Sequence, residues 1–181
     1  MADALRVLVL LIIAYVVTQI ILYGSRIRGN PLGKPPIAWP ALVFAKLAFA
    51  VSLLLLLYEA VSGRADLSHA VMALSACLLI ASATLFTFAI SKLGENLRVG
   101  LPNEETALVT SGVYGYSRNP IYLALFCFLG ASLTYAFSWI NLAVVLIAVV
   151  FHHRIVLGEE KFLAAHFADF ATYRQRVRRY L

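Results

Sequence analysis

The sequence predicts an all-α integral membrane protein with about five transmembrane helices. The last two form a helical hairpin, and a C-terminal amphipathic helix follows. Three observations carry this reading. Of 181 residues, 62% are hydrophobic and only 13% are charged, against about 25% charged in a soluble domain. Mean hydropathy is +0.86, so too little charge exists to cover a water-facing surface. Apolar runs recur at the length that a bilayer core of about 30 Å demands, about 20 residues in a helix. The basic residues gather at the ends of those runs, as membrane topology selects.

The first run spans Leu5 to Tyr23. Gly24, Ser25, Gly29, Asn30 and Pro31 end it, with Arg26, Arg28 and Lys34 beyond. It is too long for a signal-peptide core and no A-x-A site follows, so it reads as a retained span. The second run is Trp39 to Val61 and the third is Leu67 to Ile90. A polar segment, Ser91 to Asn119, precedes the fourth run, Pro120 to Phe137. The fifth is Trp139 to Leu157, and from Gly158 the chain turns amphipathic and basic. Backbone polar groups must pair internally in lipid, so these spans are helices. The alternation of a membrane barrel strand is absent. No internal repeat is visible, and the length suits one domain, 1–181.

Loop charge sets the orientation. Lys or Arg residues follow the first span (Arg26, Arg28, Lys34), the third (Lys92, Arg98, Arg118) and the fifth. After the second span Arg64 is offset by Asp66, and the turn near Ser138 is uncharged. Five spans put all the strongly basic segments on one face, which should be cytoplasmic. The N-terminus then lies outside. Six of the fifteen Lys and Arg fall between Arg154 and Arg179, and the net charge is +6. That distribution suits anionic lipid. Nothing in it reads bases, so nucleic acid is not an expected partner. Cys77 and Cys127 lie inside apolar runs and read as small buried hydrophobes.

The uncharged turn joins the fourth and fifth spans into an antiparallel hairpin. It therefore brings Arg118–Tyr122 to the same membrane face as Arg154–Glu160. Two polar clusters far apart in sequence become neighbours. The first is T-A-L-V-T-S-G-V-Y-G-Y-S-R-N-P-I-Y, Thr106 to Tyr122, and the second is Glu159-Glu160. Asn119 is a good helix N-cap and Pro120 a good first-turn residue. That explains those two without function, but not Arg118 and Tyr122 beside them. Free N–H groups at this helix start would suit a carboxylate. Glu159 and Glu160 point about 100° apart on a helix, so one can bind a ligand while the other faces solvent or arginine. Helix C-termini favour cations, which makes an acidic pair there anomalous. His152 and His153 lack a further ligand at metal spacing, so no zinc site is expected. His152 does lie on one stripe with Glu159. Lys46 and Glu59 sit within the second span, each near enough to an end for its charge to snorkel.

The pattern S-G-V-Y-x-Y-x-R-N-P-x-Y, an apolar hairpin, then E-E resembles the isoprenylcysteine carboxyl methyltransferase and phospholipid methyltransferase superfamily of integral membrane enzymes. The resemblance covers roughly Leu93 to Leu181. It implies an S-adenosylmethionine-dependent methyltransferase acting on a lipid-like or hydrophobic acceptor at the cytoplasmic membrane face, with O, N and S all open as the methylated atom. Residues 1–91 would hold three spans and 92–181 the cofactor-binding half. By resemblance the cofactor contacts are Leu108, Val109, Tyr114, Arg118, Asn119, Pro120, Tyr122, Glu159 and Glu160, nearest at Glu159. Arg154 matches the basic position linked to the substrate and is the catalytic candidate. Many relatives carry histidine where this chain has Asn119, which cannot titrate. In the tail, Tyr173 and Val177 match the family's Y-x-x-x-V, while its usual glycine is missing. No G-x-G-x-x-G follows a strand, so the Rossmann route to this cofactor is excluded. A bacterial inner-membrane location is expected. A phospholipid N-methyltransferase, a membrane reductase and a non-catalytic scaffold of related architecture are the alternatives.

Overall fold

The computed structural model describes residues 2–24, 34–63, 67–97, 100–101 and 107–181. Ser25, Arg26, Arg28, Gly29, Asn30, Pro31, Arg64, Asp66, Arg98 and Thr106, named above, lie outside them. The described residues form six α-helices and no named strand: α1 (Ala2–Gly24), α2 (Trp39–Ser62), α3 (His69–Leu93), α4 (Pro120–Tyr135), α5 (Trp139–His166) and α6 (Phe170–Arg176). Four of them, α1, α2, α3 and α5, are long and apolar enough to cross a membrane. The fourth predicted span, α4, is a shorter apolar helix of 16 residues. At about 1.5 Å per residue it covers about 24 Å.

Local chemistry sets the helix ends. Pro40 lies in the first turn of α2, and Gly63 closes that helix at φ 64°, its N–H donating to the Glu59 carbonyl. Ser68 caps α3 by accepting from the Val71 N–H, and Ser138 caps α5 by accepting from the Asn141 N–H. One expectation is corrected at Gly158. The helix neither stops at Leu157 nor ends there, but runs on as α5 to His166. The predicted amphipathic C-terminal helix therefore divides between the end of α5 and the seven-residue α6.

Long-range bonds show which helix ends lie together. Arg6 at the start of α1 donates to the Ala60 and Val61 carbonyls at the end of α2. Tyr23 at the end of α1 bonds Ser91 at the end of α3. Lys34 and Leu101 exchange backbone hydrogen bonds of 2.9 and 2.8 Å. Successive helices thus alternate in direction. The ends of α1, α3 and α5 and the starts of α2 and α4 share one side, called the site end below. This is the arrangement that five crossings require.

Small and polar residues hold the bundle together, because lipid supplies no hydrophobic force between helices. Ala45 and Ala48 of α2 and Ala148 of α5 are buried. Ser52 of α2 donates to the Ser132 hydroxyl of α4, which donates back to the Ser52 carbonyl, both at 2.9 Å. Asn141 of α5 joins this knot through its amide nitrogen to the Ser132 and Ala136 carbonyls. Ser75 of α3 bonds Thr134 of α4 at 2.8 Å.

Candidate functional site

Two carboxylates from α5 and one arginine and one tyrosine from α4 and its approach meet at the site end. The non-helical stretch 107–111 leads into a single 3₁₀ turn, Gly112–Gly115. Gly112 enters it at φ 65°, a left-handed conformation that glycine adopts without strain. The turn directs Tyr114 inward, to 8% exposure, and Tyr116 outward, to 80%. Ser117 and Asn119 are also buried, and Pro120 then opens α4.

Tyr122, one turn into α4, donates its hydroxyl to Glu159 Oε1 at 2.7 Å. Burial pushes the Tyr114 hydroxyl well above its ordinary pKa, with Tyr173 and then Glu159 adding to the rise. Tyr114, Tyr122 and Glu159 therefore lie in one electrostatic neighbourhood, and Glu159 keeps partial exposure. The His152 ring stands 6.4 Å from both the Tyr122 and the Phe49 rings. Its Nδ1 lies 2.8 Å from the Ala148 carbonyl, which only accepts, so Nδ1 carries a proton there.

Glu160 is the more enclosed carboxylate, and it is the member of the pair that faces arginine. Its Oε1 accepts from Arg118 Nε at 3.1 Å and Asn119 Nδ2 at 2.9 Å, and Arg118 Nη2 lies 3.0 Å away. Its Oε2 accepts from Arg179 Nε and Nη2 at 3.0 and 2.9 Å. The Arg118 and Glu160 side chains are 7% and 8% exposed. Asn119 departs from expectation. It occupies the N-cap position of α4, yet its side chain makes no capping bond and turns to Glu160 and the Arg179 carbonyl instead.

The tail beyond α6 forms the third wall. The Arg118 N–H donates to the Arg178 carbonyl, Ser117 Oγ to the Arg179 carbonyl, and Arg118 Nη1 to the Arg174 and Val177 carbonyls. Tyr173 donates to the Tyr114 carbonyl at 2.6 Å. Burial pushes the Tyr173 hydroxyl up to about 12, Arg118 opposing and Glu160 adding to the rise, so it remains a donor at neutral pH. Phe170, Tyr173 and Val177 pack together with Leu108 against them. Tyr180 bonds His153 Nδ1 at 2.8 Å and packs edge-on against Phe126.

Most sequence-predicted site residues are thus brought together: Tyr114, Arg118, Asn119, Pro120, Tyr122, Glu159 and Glu160 converge, with Leu108 and Val109 on the adjoining stretch. Arg154 is not. It stands on an exposed stripe of α5 with Val150 and Leu157, and among the described residues it makes no hydrogen bond or ion pair. Two contributors were missed. Arg179 and Tyr180 read only as part of a basic tail. Gly158 makes a contact that the sequence does not show: a Cβ there would collide with the Pro36 carbonyl, so the residues just before α2 lie directly on α5 beside Glu159. A narrow cleft lined by Arg6, Gly63, Met72 and Tyr135 belongs to the opposite end.

No curated protein matches the chain. A family model described as phospholipid methyltransferase matches residues 70–169, more than half of the chain. It takes in nearly all of α3, all of α4 and α5 and both polar clusters, and it leaves out α1, α2, α6 and the tail beyond α6. With four helices of spanning length, a fifth apolar helix and this match, the chain belongs to the phospholipid methyltransferase family and is a multi-pass membrane methyltransferase.

Proposed function

We propose that the protein transfers a methyl group from S-adenosylmethionine to a lipid-like acceptor, and that the cofactor lies at the site end, facing the cytoplasm. The observation that carries this is the Tyr122–Glu159 pair, a partly accessible carboxylate held at 2.7 Å by a tyrosine beside buried Tyr114 and the non-helical stretch 107–111. Open backbone at membrane depth is tolerated where it lines a protein or water cavity. The residues suit the group: a carboxylate for its ammonium or ribose hydroxyls, tyrosine rings for stacking on adenine, and backbone groups along the non-helical stretch 108–111.

When bound, the cofactor supplies an activated methyl on a sulfonium, so positioning is the protein's main task. Glu159 would hold the positive end. Tyr122 fixes the carboxylate's direction by occupying one oxygen. Glu160 would act at one remove, since its two oxygens are committed to Arg118, Asn119 and Arg179. That network anchors α5 to the start of α4 and to the tail, and so holds Glu159 opposite Tyr122. Leu108, Val109 and Pro120 would shape the apolar wall. Arg154, on the outward stripe, would meet the acceptor or a lipid headgroup at the membrane surface.

Isothermal titration of the purified protein with S-adenosylhomocysteine tests the reading. Saturable binding is expected, and no heat at millimolar ligand would sink it. The basic Lys92, Arg118 and tail arginines of the site end favour the cytoplasmic side. Labelling of single cysteines placed in the tail, from inside and outside intact cells, checks the orientation.

A further inference from the structure

His152 is a buried titratable side chain to which nothing above gives a task. It is 2% exposed and stands where α2, α4 and α5 meet. Its ring lies 6.4 Å from the Phe49 ring of α2 and 6.4 Å from the Tyr122 ring of α4. Nδ1 lies 2.8 Å from the Ala148 carbonyl, an acceptor only, so Nδ1 holds a proton. That bond fixes the direction of the ring and leaves the lone pair of the neutral imidazole on Nε2. Among the described residues Nε2 has no hydrogen-bond partner, and unlike Asn141 Oδ1 it is not sealed off from a water-sized group. Buried polar side-chain atoms are mostly paired, so an open acceptor on a fixed ring calls for a donor from outside the chain.

The position of the ring says what that donor would belong to. His152 and Glu159 share one face of α5, because seven residues make nearly two full turns, about 10 Å along the helix. Tyr122 touches both, its hydroxyl on Glu159 Oε1 at 2.7 Å and its ring beside the imidazole. The site therefore has two ends. Glu159 stands toward the membrane surface, and His152 lies two turns deeper among aromatic rings, with Phe49 packed in turn on Phe128 at 5.4 Å. The outer end suits the positive part of a water-soluble cofactor. The inner end suits the reacting head of an apolar acceptor that arrives through the bilayer.

We propose that His152 Nε2 takes the proton of the methyl acceptor, so that the acceptor is an apolar molecule whose reacting atom bears a hydrogen, as an amine, a phenol or a thiol does. This rests on the methyltransferase reading above and adds the acceptor's half of the site. In the transfer, the lone pair of the acceptor's reacting atom forms the bond to the methyl carbon. The carbon–sulfur bond breaks, its electron pair stays on sulfur as a neutral thioether, and the proton leaves the acceptor for Nε2. The imidazolium gives that proton to water once the product departs. A carboxylate arrives already ionised and has no hydrogen to offer the open lone pair.

The test uses the full chain in detergent, carrying ring-nitrogen-labelled histidine, with and without S-adenosylhomocysteine. The chain has four histidines, and the signal missing from His152→Gln identifies His152 by magnetic resonance. The probes are para-octylphenol and dodecylamine, each beside its fully methylated counterpart, para-octylanisole and dodecyltrimethylammonium. At least one hydrogen-bearing probe should move the Nε2 resonance saturably, and its methylated counterpart should leave it in place. No shift with either hydrogen-bearing probe overturns the proposal, and so does an equal shift with the methylated form. Turnover gives a second arm, in membranes that hold the protein and methyl-labelled S-adenosylmethionine. His152→Gln should transfer label about a hundredfold or more slowly, since a positioned proton acceptor contributes about 10²–10⁴-fold. Its S-adenosylhomocysteine affinity should stay at the wild-type value, which also reports that the variant is folded. Equal rates of transfer by wild type and His152→Gln overturn the proposal. Failure of S-adenosylhomocysteine to bind the wild type would instead remove the cofactor reading, while the Nε2 titration without that ligand still judges His152.

Discussion

The Tyr122 hydroxyl donates to the Glu159 carboxylate across 2.7 Å, although the two residues are 37 positions apart. The hairpin of α4 and α5 makes this possible, because its turn at Ala136–Ser138 returns the chain to the site end. The pair links the two polar clusters that bracket the hairpin, and it leaves Glu159 one oxygen for a ligand.

Glu159→Gln keeps the shape and removes the charge. A hydrogen bond to a charged group contributes about 1.5–3 kcal/mol, so S-adenosylhomocysteine should bind about ten- to a hundredfold more weakly. Tyr122→Phe deletes only the positioning hydroxyl and should weaken binding less. Calorimetric titration of both variants checks this. A Tyr122→Phe loss larger than that of Glu159→Gln would show that the carboxylate is not the ligand contact.

Glu160→Gln should behave differently from its neighbour. Its charge sits between Arg118 and Arg179 with both the Arg118 and Glu160 side chains almost fully buried. Removing one partner of a buried ion pair strands the other and costs about 3–5 kcal/mol. Arg179, whose side chain is 35% exposed, recovers some of this through water, so the lower end applies. Thermal unfolding in detergent should fall clearly for Glu160→Gln and little for Glu159→Gln. Equal melting temperatures would contradict the assignment of the two carboxylates.

Helix spans were legible because they depend on composition and local end signals. The expected Trp39–Val61 became Trp39–Ser62, and Leu67–Ile90 became His69–Leu93 after the Ser68 cap. The meeting of Arg118–Tyr122 with Glu159-Glu160 was legible too, since an uncharged turn between two apolar runs forces a hairpin. The face of each carboxylate was not. Two residues 100° apart are distinguished only by what packs against the helix, and here that is a tail whose arginines read as lipid-attracted charges. Asn119 was misread for a similar reason: its residue type favours capping, but Glu160 and the Arg179 carbonyl compete for the amide and win. Gly158 was opaque because its constraint comes from Pro36, more than a hundred residues earlier.

Gly158→Ala separates propensity from packing. Within a helix, alanine is favoured over glycine by about 1 kcal/mol. At this position the added methyl meets the Pro36 carbonyl inside van der Waals contact, and backbone on both sides leaves little room to yield. The collision should outweigh the propensity. The variant is expected to melt lower and to bind S-adenosylhomocysteine more weakly, because Glu159 is the next residue. A higher melting temperature with unchanged binding would mean that the Pro36 backbone moves aside freely.

Ser132→Ala tests the polar knot in the bundle. The hydroxyl donates to the Ser52 carbonyl and accepts from Ser52 Oγ and Asn141 Nδ2. Interhelical bonds of this kind contribute about 0.6–2 kcal/mol each in membranes. Loss of stability within about that range is expected, with S-adenosylhomocysteine affinity unchanged because the knot lies well away from Glu159 along α4 and α5. Steric-trap or denaturant unfolding in detergent gives the first number and titration the second. An altered cofactor affinity would mean that the knot sets the spacing of α4 and α5 as far as the site.

Deleting residues 177–181 gives the sharpest contrast between scaffold and site. Those residues supply the Val177, Arg178 and Arg179 carbonyls that receive donors from 117–119, and the Arg179 guanidinium that holds Glu160. None of them belongs to α1–α5, whose contacts run through Ser52, Ser132, Asn141 and the small-residue seams. The spanning helices should therefore survive, with far-UV circular dichroism almost unchanged. Arg118 loses two acceptors, the Val177 and Arg178 carbonyls, so its hold on Glu160 loosens and Glu159 is no longer fixed opposite Tyr122. S-adenosylhomocysteine binding should fall by more than in Arg179→Lys, which keeps the charge and all the tail carbonyls. Retained affinity in the truncated protein would show that α4 and α5 position Glu159 on their own, and that the tail is a cover rather than a wall of the site.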